Sequence, residues 1–270
     1  HFKAEWDHST VYFFEKFVTS SEICTFDGLV DKEGKIVFST TFDYAYTPLD
    51  LMIYKMDNSY YVLKDMDPKL RKYGEAIVKE FGMKERFFHI EFFREGDDYI
   101  AIEYNNRPAG GFTIDVYNFA HSLDLYRGYA AIVAGEEFPA SEFEPQYCLA
   151  TSRRANAHYV YSEEDLIDKY SQQFKVKKIM PAAFAELQGD YLYMLTTPSR
   201  QEMDQMIKDF GQRQAWETIG LRKFTPLVLL FFIRNTADWN KSRTIFEVLF
   251  DMSSVFLTKI LLRWVGRNKK

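Results

Sequence analysis

Cysteine is scarce in this chain: Cys24 and Cys148 are the only two in 270 residues, and neither sits in a C-x-x-C pair. That excludes a disulfide framework and leaves no cysteine-based zinc site. A reducing, cytoplasmic setting is the expectation. Long apolar runs are lacking as well. The stretch Leu227-Val-Leu-Leu-Phe-Phe-Ile233 has only seven residues, too short to span a bilayer. No G-x-x-x-x-G-K-[ST] occurs, which sets aside a P-loop nucleotide site. No signal peptide opens the chain, which starts at His1 in mid-pattern and reads as a fragment or a processed start.

What is present is apolar and aromatic. Hydrophobic residues make up 47% of the chain, with 25 Phe and 18 Tyr, ample for the core of one large domain or two ordinary ones. The net charge of −5 hides a split: residues 216–270 hold 10 Lys and Arg against 4 Asp and Glu, the rest 24 against 35. A body this acidic argues against a nucleic-acid enzyme, whose footprint is basic.

The informative stretch is Arg86 to Arg107. Two runs of aromatic and β-branched residues flank Glu95-Gly96-Asp97-Asp98, the pattern of a β-hairpin with a short glycine-containing loop. Centring the loop on Asp97 sets Glu91 opposite Glu103 and His89 opposite Asn105. Alternation then places Glu91, Glu103, Asn105 and Arg107 on one face. Opposed carboxylates repel and need compensation, which a divalent cation supplies. Two carboxylates and an amide are an oxygen set suited to Mg²⁺, and the Arg107 fork beside them suits a carboxylate or phosphate. The alternative is a solvated hairpin face with incidental charges.

The pair Phe-His-Ile-Glu91-Phe and Ile-Glu103-Tyr-Asn105-Asn-Arg107-Pro-Ala-Gly-Gly111 resembles the closing signature of the ATP-grasp superfamily, and most of all its carboxylate-amine ligases. The resemblance implies that Glu91, Glu103 and Asn105 bind the Mg²⁺, or Mn²⁺, that holds the ATP phosphates. It implies that Arg107 contacts the phosphate or acyl-phosphate. It extends to the N-terminal meander, where Glu15 and the backbone of Lys16, Phe17 and Val18 match the hinge over adenine, and Glu22 matches the residue that binds ribose. Adenine needs an amide edge and an apolar slot, and a diol suits a carboxylate acceptor. A strand-edge charge is the other reading of Glu15.

The expected fold is α+β: an antiparallel sheet with packed helices over residues 1–138, a small α+β subdomain over 139–213, and an apolar, basic helical tail over 214–270. Asp67-Pro68 opens a helix with Leu70, Tyr73, Ile77, Val78 and Phe81 at helical spacing. Helices are also expected within 113–135, over 162–170 and from Ser199, with Glu202 at capping-box spacing. His121 and Asp124 read as packing or capping residues, and Arg153 and Arg154 as solvated surface, with an anion site as their alternative. In the tail, Glu247, Asp251, Lys259 and Arg263 form a narrow polar strip, which calls for packing against the body or a partner subunit, or for contact with a membrane surface.

The implied activity joins a small-molecule carboxylate to an amine through an acyl-phosphate, releasing ADP and phosphate. The family's N-terminal half, with its phosphate-contacting lysine and glycine-rich loop, has no counterpart in the sequence, so the chain alone is expected to be inactive. A degenerate grasp module that binds nucleotide or acts as an interaction protein is the alternative.

Overall fold

The structure is a computed structural model that describes residues 18, 20, 22–47, 51, 56–139 and 141–214. The expectations for Glu15, Lys16, Phe17 and the tail from 215 fall outside the described residues. Nine strands among the described residues form one sheet: β1 (Ile23–Val30), β2 (Ile36–Thr40), β3 (Phe42–Tyr44), β4 (Ser59–Val62), β5 (Arg86–Glu95), β6 (Asp98–Asn105), β7 (Tyr147–Arg153), β8 (Phe174–Ile179) and β9 (Tyr191–Thr197). Their order is β6-β5-β1-β3-β4-β7-β9-β8, with β2 paired to β1, and every pairing is antiparallel. Residues on both sides of position 139 share this sheet, because β4 pairs with β7 through Tyr61 and Leu149.

The helices are α1 (Pro68–Glu80), α2 (Thr113–His121), α3 (Leu125–Ala134), α4 (Glu163–Lys169), α5 (Ala182–Gln188) and α6 (Arg200–Gly211). Asp67 caps α1 by accepting from the Lys69 amide at 2.7 Å, and Pro68 loses no hydrogen bond in the first turn. The expected stretch 113–135 is two helices, broken where Ser122 turns left-handed (φ 51°) and Asp124 caps α3. Ser162 and Asp165 form a reciprocal capping box at α4. Ser199 caps α6.

The two faces of the sheet are covered by different helices. Leu70 and Val78 of α1 pack with Phe26, Phe88, Ile90 and Phe92, beneath the hairpin of β5 and β6. On the opposite face, Val116 and Tyr117 of α2 and Leu125 and Ile132 of α3 cover Phe42, Tyr60 and Val62. Leu166 of α4 and Met203, Met206 and Phe210 of α6 close a third cluster on Tyr61, Leu149 and Tyr193. Each fully buried side chain of this kind contributes roughly 1.5 to 3 kcal/mol. Phe81 is not part of this core: it is 62% exposed and stacks on Tyr104.

The hairpin register agrees with the sequence at its inner end. His89 pairs with Asn105 and Glu91 with Glu103. Nearer the turn the pairing slips by one, so that Phe92 faces Ala101 and Glu95 faces Asp98. The turn is the two residues Gly96 and Asp97, with Gly96 at φ 61°, and the extra residue is absorbed by a bulge at Ile102.

Candidate functional site

The site grows from the alternation along β5. Phe88, Ile90 and Phe92 point to the α1 side, which leaves His89 and Glu91 to the other. Across the β1 to β5 ladder, Asp27 lies opposite His89 and Thr25 opposite Glu91, so all four share one face. Phe42 and Tyr44 of β3 bring aromatic rings to the same place: the His89 ring stacks on Phe42 at 6.1 Å, and the Tyr44 hydroxyl donates to Glu91 Oε1 at 2.8 Å.

His89 is 5% exposed and Asp27 1%. His89 Nδ1 lies 2.6 Å from Asp27 Oδ1, and Nε2 lies 3.4 Å from Glu91 Oε1. Thr25 donates to the second oxygen of Asp27 and accepts from the Phe42 amide. Burial disfavours the imidazolium, but the carboxylates of Asp27 and Glu91 outweigh it and push the His89 pKa up to about 10. At neutral pH the ring is therefore charged and both nitrogens donate. Burial pushes Glu91 up, while His89, Tyr44 and the more distant Arg107 pull it down, and the pull wins. Glu91 is an ionised carboxylate with one oxygen fixed by two donors.

Glu103 is exposed, and its Oε1 accepts from the Asn105 amide at 2.7 Å. His89, Glu91 and Glu103 each offer an atom within 4.8 Å of the others. A histidine ligates a metal as the neutral imidazole; in this cluster Asp27 holds His89 Nδ1 and Nε2 is aimed at Glu91, so the ring orients that carboxylate. The carboxylates of Glu91 and Glu103 with the Asn105 amide make an oxygen set of the kind that fits Mg²⁺, and a nitrogen of His89 lies within 4.8 Å of both carboxylates. The opposed carboxylates also have partners within the protein: His89 Nε2 lies 3.4 Å from Glu91, and the Asn105 amide donates to Glu103.

Arg107 is exposed just past β6, and its Nη1 donates to the Pro108 carbonyl at 2.8 Å. Val18 is half-buried. Glu22 is exposed just ahead of β1 and pairs with Arg94 at 3.6 Å; Arg94 also holds Asp43 at 3.2 Å. It is not brought to Glu91: residue 94 lies three positions along β5 from residue 91, about 10 Å of strand. His121 and Asp124 do the structural work expected of them, the former bonded to Thr40 Oγ1 at 2.8 Å and the latter capping α3. Arg153 and Arg154 are not solvated: Arg153 is 5% exposed and Arg154 is half-buried.

Beside His89 lies a cavity of about 120 Å³, lined among others by Phe42, Tyr44, Asn58, Tyr60 and Thr113. The side-chain oxygen of Asn58 is buried with no hydrogen-bond partner. Gly110 also lines it, and the turn bends at Gly111, at φ 68°, a value that favours glycine. Asp27, His89 and Asn58 were not singled out as site residues in the sequence. The signal was there for Asp27: with Thr25 it puts two polar residues on one face of an otherwise apolar strand.

Residues 1–115 match the family model of the ATP-grasp domain. Over that span the ATP-grasp resemblance of the sequence is shown, and the α+β antiparallel sheet agrees with it. Among solved structures, the chain is similar to phosphoribosylglycinamide synthetase from Anaerococcus prevotii, with 10% identity and a TM-score of 0.51 over 72% of this chain and 53% of that one. It is similar also to the phosphoribosylaminoimidazole carboxylase ATPase subunit from Aquifex aeolicus, with 13% identity and a TM-score of 0.51 over 73% of this chain and 60% of that one. At these identities the likeness is one of ATP-grasp fold, and the chain spans little more than half the length of either protein. No curated protein matches the chain. Among the described residues, no helix is long and apolar enough to cross a membrane.

Proposed function

We propose that the chain supplies the magnesium-nucleotide part of an ATP-dependent carboxylate-amine ligase, which activates a small carboxylate as an acyl-phosphate for attack by an amine and releases ADP and phosphate. The observation that carries this reading is the opposition of Glu91 and Glu103 on paired strands, with an oxygen of each within 4.8 Å of the other and of a His89 nitrogen. Glu91, Glu103 and Asn105 would hold Mg²⁺. Bound there, it would offset the negative charge on the phosphate oxygens during phosphoryl transfer.

The remaining roles belong to the chain itself. Asp27 and His89 position Glu91 by fixing one of its oxygens, so its free oxygen is presented in a constant place. Arg107 turns its fork to the transferred group, and losing such a donor lowers kcat by roughly 10² to 10³. Glu22 meets the ribose, in line with its exposure at the head of β1. Small carboxylate and amine substrates, and a cytoplasmic setting, complete the proposal.

Calorimetry with Mg-ADP on the chain and on Glu103→Gln tests it, with circular dichroism to confirm that both are folded. The substituted protein should lose magnesium-dependent affinity. Equal affinity in the two proteins would remove the metal from this hairpin and the reading with it.

A further inference from the structure

Arg153 closes β7 as a buried guanidinium that forms no ion pair among the described residues. It is 5% exposed. Its Nη2 donates to the Tyr161 carbonyl at 2.7 Å, and its carbon lies 3.7 Å from the centre of the Tyr159 ring. Its Nε is buried with no hydrogen-bond partner, and no carboxylate among the described residues comes within 4.0 Å. Buried charges in proteins are normally paired, because an unpaired one carries several kcal/mol of lost solvation.

The carboxylates in the neighbourhood are committed to other cations. Asp57 binds Arg213 at 3.0 Å and accepts from the Tyr159 hydroxyl at 2.9 Å. Glu163 binds Lys177 at 2.7 Å and accepts from the Tyr193 hydroxyl at 2.8 Å. Among the described residues, neither carboxylate forms an ion pair with Arg153.

The guanidinium borders a cavity of about 310 Å³, lined by Arg153, Tyr159, Tyr161, Glu163, Tyr191 and Tyr193 among others. The size is at the lower end for small-molecule sites, which run from roughly 300 to 1,000 Å³. It is remote from the magnesium hairpin. Arg153 pairs with Tyr191 on the face that continues through Leu149, Tyr61, Asp43 and Cys24 to Phe92, opposite the face of Glu91, and toward the other edge of the sheet.

We propose that this cavity is a second ligand site, for a small monocarboxylate with a planar apolar body. The carboxylate meets the Arg153 fork, whose geometry it matches, and the body lies against the tyrosine rings. A planar carboxylate presents two oxygens to the fork, and its apolar body, which phosphate lacks, has the tyrosine rings to lie against.

The test is calorimetry on the full chain with benzoate, with benzamide as the neutral isostere, and with inorganic phosphate. Benzoate should bind saturably and at least tenfold more tightly than benzamide or phosphate. Arg153→Met should weaken benzoate at least tenfold. Ala157→Phe, which fills the cavity from its loop and leaves Arg153 intact, should do the same and decides the matter if Arg153→Met does not fold. Glu103→Gln should leave benzoate affinity unchanged, which separates this site from the nucleotide site. Absence of benzoate binding, equal affinity for benzamide, tighter binding of phosphate, or an Ala157→Phe protein that binds as well as the unchanged chain would each overturn the proposal.

Discussion

His89 and Asp27 stand opposite each other on adjacent strands, 62 residues apart in sequence, with Nδ1 and Oδ1 at 2.6 Å and both side chains buried. The pair turns the second ring nitrogen toward Glu91, so a contact between β1 and β5 sets the aim of a carboxylate at the mouth of the site.

Asp27→Asn should therefore weaken both fold and function. Removing one partner of a buried charge pair leaves the other uncompensated and costs about 3 to 5 kcal/mol. Urea unfolding should show that loss, and Mg-ADP affinity should fall with it. A stability within 1 kcal/mol of the unchanged protein would mean that the pair does not hold the ring.

Tyr44→Phe removes one of the two donors to Glu91 Oε1 and nothing from the core packing. A hydrogen bond to a charged group contributes about 1.5 to 3 kcal/mol, and His89 keeps the carboxylate partly paired, so the lower figure is expected. Mg-ADP calorimetry and urea unfolding on the same samples would separate a lost orientation from a lost fold.

His121 gives a pH dependence whose sign is fixed. Burial lowers its pKa from 6.5 to about 4, so between those values the unfolded chain binds more protons than the folded one. Stability then rises with pH across that window and falls as pH drops from 6.5 toward 4, by at most about 3 kcal/mol from this group. Urea midpoints at pH 7 and pH 4.5 should differ more in the unchanged protein than in His121→Gln. Equal differences would assign the acid sensitivity to other groups.

The hairpin was legible because its evidence is local: two strands, a glycine turn and a period of two set Glu91 against Glu103 with no help from the rest of the chain. The caps at Asp67 and Ser199 were legible for the same reason. The one-residue slip near the turn was not, because centring the loop by composition cannot tell a two-residue turn from a longer one with a bulge at Ile102. The Asp27 to His89 pair was hidden by distance in sequence, since only the strand order brings β1 beside β5. Arg153 was misread as surface because charge predicts exposure on average, and only the packing of Tyr159 and Tyr161 around it reveals the burial. The short strand β8, with three lysines in six residues, carries little apolar signal and is defined by its pairing with β9.

Gly74 gives the sharpest test of how α1 sits on the sheet, because two principles predict opposite signs for one substitution. In the middle of an exposed helix, glycine to alanine stabilises by about 1 kcal/mol through propensity alone. Here a methyl group at residue 74 would run into the ring of Phe26, at its Cδ1 and Cγ. Phe26 cannot give way: it is fully buried and stacks on Phe88 at 5.2 Å between ring centres. Overpacking of this kind costs about 1 to 3 kcal/mol, enough to cancel or reverse the propensity gain. Gly74→Ala should thus be destabilised in urea, while Gly74→Ala combined with Phe26→Leu should lose less than the two single changes together, because the smaller side chain makes room for the methyl group. A Gly74→Ala protein more stable than the unchanged one would place α1 farther from β1 than the structure has it, and would loosen the floor on which the Glu91 hairpin rests.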